Sequence, residues 1–217
     1  MVIILRFKIF DYVTNVFFHP WVGSDYFSGG IFGKRIMVLG ESHYCAEACE
    51  KCGVDFKCKC NGFTTDVVKA YLDQDNEREG WMSTYLKFER SLVNHATTPE
   101  ESVKIWNSLL FYNYLQVAMT GSMQAGTTEQ YRAAAGPFFS VLDEYQPDLL
   151  IVWGVRLWNN LPCARWEEGS QMEVDGYEIK NGYYNLANGK KVRAICVYHP
   201  SVGYSWDYWY RVIMKAM

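Results

Sequence analysis

Four short apolar runs, separated by stretches of helical spacing, leave this chain few folds to choose from. Ile36-Met37-Val38-Leu39 leads into Gly40-Glu41-Ser42-His43-Tyr44, and Leu109-Leu110-Phe111-Tyr112 leads into Asn113. Leu149-Leu150-Ile151-Val152 leads into Trp153-Gly154, and Val192 to Tyr198 leads into His199-Pro200-Ser201. Runs this short and this apolar read as strands buried on both faces. With helices between them and right-handed crossovers, the predicted fold is α/β: a three-layer α/β/α sandwich with a central four-stranded, mostly parallel sheet. Ligands of such sheets lie beyond the carboxyl ends of the strands. The four runs would bring a Glu, an amide, a Gly turn and an imidazole to that edge.

The intervening segments carry helix and turn signals. Trp81 to His95 places apolar residues at 81, 82, 85, 86, 88, 92 and 93, a helical stripe. Thr98-Pro99-Glu100-Glu101 reads as a capping box opening a second helix. Thr128 opens another, which Gly136-Pro137 is expected to break before Phe138 to Tyr145 resumes. Gly154 to Leu161 is a short helix stopped by Pro162, and Ser205 caps a last helix running to Met217. Asp175-Gly176, Asn181-Gly182 and Asn188-Gly189 are hairpin-turn signals, so residues 171–191 read as a meander into the fourth run. No repeat or linker divides the chain, and residues 1–217 read as one domain. Residues 1–20 form an N-terminal extension, with Met1 to Val13 as an added edge strand or a loose tail.

Charge limits the partners. Twenty-one basic against 24 acidic residues give −3, less basic than proteins that hold duplex DNA mainly through phosphates. Lys180, Lys190, Lys191 and Arg193 cluster before the fourth run, as a local basic face or a solvated hairpin. Arg6, Lys8 and Asp11 interrupt the apolar N-terminus, which argues against a membrane span or signal peptide. A cytoplasmic monomer is expected.

Five of the seven cysteines, Cys45, Cys49, Cys52, Cys58 and Cys60, crowd an insert over residues 45–60. In a reducing compartment such thiols mean metal more often than disulfides. Structural zinc is the first reading and a [4Fe–4S] cluster the second. Against zinc stands a Cys-rich surface loop with free thiols or adventitious disulfides, since Cys49-x2-Cys52 is the only CxxC pair.

Taken in order, these motifs resemble those of the uracil-DNA glycosylase superfamily over roughly residues 33–217. The resemblance implies an enzyme that flips a damaged base out of single- or double-stranded DNA and hydrolyses its N-glycosidic bond. It implies that the first motif, Gly40 to Tyr44, holds the sugar and the attacking water, with Tyr44 packed against the base edge. Phe63, in an Asn61-Gly62-Phe63 context, would stack on the base; Asn113 would read its edge; His199 would donate to its carbonyl oxygen. The chemistry suits these residue types, because the leaving base gains negative charge and the sugar positive charge. No cofactor is required for it.

The chain also departs from the family pattern. Ser42 stands where Asp or Asn is usual and lacks either function, so Glu41 becomes the candidate for water activation. His43 replaces a common Pro and either joins the chemistry or caps a helix. Ser201 completes the last motif, and Tyr204 or Trp206 takes the place of a Leu wedge, unless the aromatics there merely pack the last helix. The alternative reading is a catalytically altered module of the same fold that binds a nucleobase or nucleic acid without turnover. A third is a zinc-stapled protein-interaction domain.

Overall fold

All four apolar runs become strands of one sheet. The computed structural model describes residues 16–45, 59–121, 123–201 and 203–217. Its strands are β1 (Trp21–Val22), β2 (Ile36–Gly40), β3 (Leu109–Asn113), β4 (Leu149–Trp153), β5 (Trp166–Glu168), β6 (Glu173–Val174), β7 (Tyr177–Glu178), β8 (Asn181–Asn185) and β9 (Lys191–Val197). Its helices are α1 (Phe63–Leu72), α2 (Met82–Val93), α3 (Pro99–Asn107), α4 (Thr128–Ala133), α5 (Ala135–Tyr145), α6 (Val155–Asn160) and α7 (Trp206–Ala216).

The sheet has seven strands in the order β1-β3-β2-β4-β9-β8-β5, not four. The four apolar runs are its centre, and β3, β2, β4 and β9 pair in parallel. Antiparallel β1 covers one edge, and β8 with β5 covers the other. The edge strands escape the sequence pattern because β1 has two residues and β8 mixes Asn, Gly and Tyr.

Alternate residues of the central strands enter opposite layers, as the two-residue period of a strand requires. Ile36, Val38, Phe111 and Ile151 pack with Val68 of α1, Phe88 of α2, Trp106 of α3 and Val212 of α7. Met37, Leu39, Leu110 and Val152 pack instead with Tyr131 of α4, Phe138 of α5 and Leu157 of α6. Helices thus cover both faces of the sheet.

Local signals hold in most places and are overridden in three. The capping box at Thr98 forms with Glu101, and a second one joins Thr127 to Gln130, one residue before the expected start. Gly136-Pro137 does not break the helix. The break falls at Ala134, and Pro137 sits in the first turn of α5, where its missing N–H has no acceptor to lose. Asp175 and Gly176 do turn, both at positive φ (54° and 82°). Asn181-Gly182 instead lies inside β8, where a Cβ on Gly182 would stand 2.2 Å from the Trp166 ring. Ser205 stands at the N-cap position just before α7, but its hydroxyl donates to Asp207 and caps no backbone N–H.

The N-terminal extension is partly integrated: the backbone N–H groups of Phe17 and Phe18 donate to Gln116 Oε1 at 2.9 and 3.1 Å, and both rings are buried. Residues 1–15 lie outside the described residues. Two members of the basic cluster are neutralised, Lys190 by Asp148 at 2.5 Å and Lys191 by Glu167 at 2.6 Å, while Lys180 donates to Asn159 Oδ1 at 2.9 Å. No helix among the described residues is long and apolar enough to cross a membrane.

One buried carboxylate ties α2 to α3. Glu89, fully enclosed, accepts from Ser102 Oγ at 2.7 Å, Trp106 Nε1 at 2.9 Å and the Thr97 hydroxyl. Removing the acceptor leaves buried donors without partners, each a cost of about 1–3 kcal/mol. Glu89→Ala is therefore expected to lower the unfolding free energy by about 3 kcal/mol or more, and Glu89→Gln by less, in urea titrations.

Candidate ring-binding site

The register of the parallel strands sets the site. Gly40 pairs with Asn113, and Trp153 pairs with Val197, so the four carboxyl ends finish at one level. Strand β2 has β3 on one side and β4 on the other, which makes its carboxyl end the switch point where α/β sheets open a crevice. A cavity of about 500 Å³ lies there. Gly40, Glu41, His43, Phe63, Asn113 and His199 all border it, as do Ser42 and Tyr44.

Backbone pairing carries the first motif beyond the strand. Tyr114 and Leu115 donate to the Gly40 and Glu41 carbonyls at 2.9 Å, and Met119 donates to the His43 carbonyl at 2.7 Å. Gly40 is needed for the close approach, since a Cβ there would stand 2.3 Å from Asn113 Oδ1. Gly154 sits at φ 97°, a turn that glycine makes without strain and that swings the chain from β4 directly into α6.

Helix α6 delivers a residue that no motif singled out. Arg156 contacts Glu41 with Nε 2.9 Å from both carboxylate oxygens and Nη2 at 2.8 Å, and Nη1 donates to the Met123 carbonyl at 3.1 Å. Tyr131 of α4 donates a second, very short hydrogen bond to the same carboxylate. Burial, then Glu41, raises the Tyr131 hydroxyl to about 12. Glu41 is thus a buried anion held by a forked cation and a phenol, the pairing a buried charge requires. It is not a free carboxylate.

His43 is buried, with 4% of its surface exposed. Phe63 stacks on its ring, centroids 4.5 Å apart and planes 9° apart. Its Nε2 hydrogen-bonds Thr64 Oγ1 at 2.9 Å. Asn113 Nδ2 lies 3.2 Å from both ring nitrogens. An atom equidistant from both at that range cannot lie in the ring plane without striking the carbon between them, so the amide lies over the ring face. Burial lowers the His43 pKa to about 3. His43 therefore neither caps a helix nor exchanges protons near neutrality.

His199 stands at the rim, its ring edge-on to Trp153 with centroids 6.0 Å apart. The residue is open to solvent, yet the surrounding protein desolvates the ring enough to lower its pKa, with Glu41 opposing and Arg156 adding. The Ser201 backbone N–H donates to Nδ1 at 3.3 Å, and the Ser201 hydroxyl lies 2.9 Å from the same atom. A backbone N–H can only donate, so Nδ1 is the acceptor and the neutral ring carries its proton on Nε2.

The remaining expected site residues contribute less or lie elsewhere. Ser42 Oγ is enclosed by protein and has no hydrogen-bond partner, so the hydroxyl does not reach the cavity. Tyr44 is 44% exposed at the mouth. Tyr204 belongs to the core and is no wedge: its hydroxyl meets Ser91 Oγ at 2.8 Å and its ring stacks on Trp209. Trp209 packs α7 onto the sheet side. Cys45 and Cys60 border a segment whose Cys49, Cys52 and Cys58 lie outside the described residues. Among the described residues no group of three metal-ligating side chains forms.

No family model matches the chain, and no curated protein matches it either.

The neutral His43 makes the fold acid-sensitive. Between the ordinary histidine value of 6.5 and about 3, the unfolded chain takes up a proton here that the folded chain refuses. Its contribution is intact above pH 6.5 and is lost as the pH falls through that window, by about 1.4 kcal/mol per pH unit at most. Urea titrations from pH 7 to 4 are expected to show this slope, and His43→Phe is expected to flatten it.

Proposed function

We propose that this chain is a hydrolase of the uracil-DNA glycosylase type, removing a deaminated base from DNA by water attack on the N-glycosidic bond. One observation carries the reading: a neutral imidazole, fixed as the Nε2–H tautomer, borders the same cavity as a buried carboxylate and a side-chain amide. As the bond breaks, negative charge grows on the base oxygen, and a preorganised neutral donor stabilises it without protonating it. Positive charge grows on the sugar, where the Glu41 carboxylate acts electrostatically. Bound by Arg156 and Tyr131, Glu41 holds its position and does not take the proton of the attacking water; that proton passes to solvent, and the base, which leaves as an anion, takes one up there.

That same clamp favours the second reading, a module that binds a nucleobase or nucleic acid without turnover. With Glu41 neutralised by Arg156 and the Ser42 hydroxyl enclosed, no free base stands in the first motif.

An oligonucleotide panel carrying uracil, hypoxanthine, xanthine or mismatched thymine separates the two. Cleavage of at least one is expected, with His199→Ala slowing it by about 10²–10³-fold. Unchanged rates in both His199→Ala and Glu41→Gln would show the site assignment to be wrong, and binding without cleavage selects the second reading. The proposal also gives Cys45, Cys49, Cys52, Cys58 and Cys60 a structural zinc. Metal analysis of the purified protein is expected to find it, and a protein without stoichiometric zinc or iron removes that part.

A further inference from the structure

The place that the family resemblance assigns to a bound base is already filled by this chain. Phe63 stacks on the His43 ring, the Asn113 amide lies over it, and Thr64 holds its edge. Phe18 closes a further side, edge-on with centroids 4.8 Å apart. A six-membered ring cannot stack on that face of Phe63 and meet that amide while the imidazole is there.

The cavity continues past this point. Away from the first motif it runs between α1, α2 and the sheet, bordered by Trp81, Tyr85, Phe111 and Trp153, with Val67 and Ala70. The four rings form a continuous aromatic wall: Trp81 to Tyr85 is 5.5 Å, Tyr85 to Phe111 5.5 Å and Phe111 to Trp153 5.2 Å between centroids. Burial by the surrounding protein raises the Tyr85 pKa. About 500 Å³ falls in the range that holds ligands larger than one ring, and it is measured with His43 in place.

We infer that His43 is a resident ring closing the one-ring slot, and that the cavity takes its ligand in the adjoining aromatic arm, an uncharged bicyclic heterocycle of purine type in preference to a pyrimidine. The inference rests on reading the cavity as a nucleobase site and adds the ring class. A fused ring has more face to lay against Trp81 and against the edges that Tyr85, Phe111 and Trp153 present, and each apolar contact adds dispersion that a lone pyrimidine in the same space would forgo. Asp66 of α1 borders the same arm, where it would repel an anionic ring and accept from the ring N–H of a neutral one.

Tryptophan fluorescence tests this directly, since Trp81 and Trp153 border the arm. Wild-type protein is titrated with free hypoxanthine and with free uracil, and hypoxanthine is expected to bind at least about tenfold more tightly. His43→Ala opens the slot, so uracil binding is expected to improve about tenfold, and added imidazole to reverse that gain by refilling it. His43→Phe keeps a ring in the slot and is expected to keep the wild-type order. Near-UV circular dichroism checks that each variant is folded, and if His43→Ala is not, the wild-type and His43→Phe preferences decide.

Uracil binding equal to or tighter than hypoxanthine in the wild type overturns the inference. So does a folded His43→Ala with unchanged uracil affinity, and so does failure of both proteins to bind either base. The hydrolase reading fails separately: hypoxanthine binding with no cleavage of any oligonucleotide sinks that reading and leaves this one standing. Uracil excision at a rate indifferent to His43→Ala does the reverse.

Discussion

The parallel register of β3, β2, β4 and β9 is the constraint on which the rest depends. Parallel strands bring their carboxyl ends to one edge, and there each backbone is free to leave the sheet. Here the four exits fall at the same level, so Glu41, Asn113, Gly154 and His199 arrive together from positions more than 150 residues apart in part of the set. The helices on both faces, and the apolar burial they provide, exist in this arrangement because the crossovers that parallel pairing demands must pack somewhere.

Within that frame two carboxylates among the described residues are buried, and the fold treats them differently. Glu89 is satisfied by neutral donors from α3 and the loop before it, which suits an acceptor whose task is to join helices. Glu41 is satisfied by a guanidinium and a phenol reaching in from α6 and α4, the opposite layer from α1 and α2. The motif at the end of β2 is therefore braced from one layer through its carboxylate and from the other through His43, Phe63 and Thr64. This double bracing ties the rim to both helix layers.

Much of this was legible from residue order alone. The central strands were legible because fully apolar runs have few other uses, and the Thr98 capping box because its hydrogen bonds are local. Their convergence followed from topology. The edge strands were not legible: Trp21–Val22 is too short to show a period, and β8 carries an Asn-Gly turn signal that packing of Gly182 under Trp166 overrides. Tyr204 looked available as a wedge, but its buried partner Ser91 lies 113 positions away, beyond any local pattern.

The amino-acid order by itself determined which segments are the central strands, which end of each faces the crevice, and what chemical groups stand there. Those properties depend on hydrophobic period and on short-range backbone chemistry. Only the tertiary structure decided what those groups are free to do. Arg156 and Tyr131 occupy Glu41, Ser201 sets the proton on His199, and His43 takes the face of Phe63. The physical reason is that charge pairing, tautomer and stacking are set by atoms a few ångströms apart in space, and neighbours at that range come from distant parts of the chain.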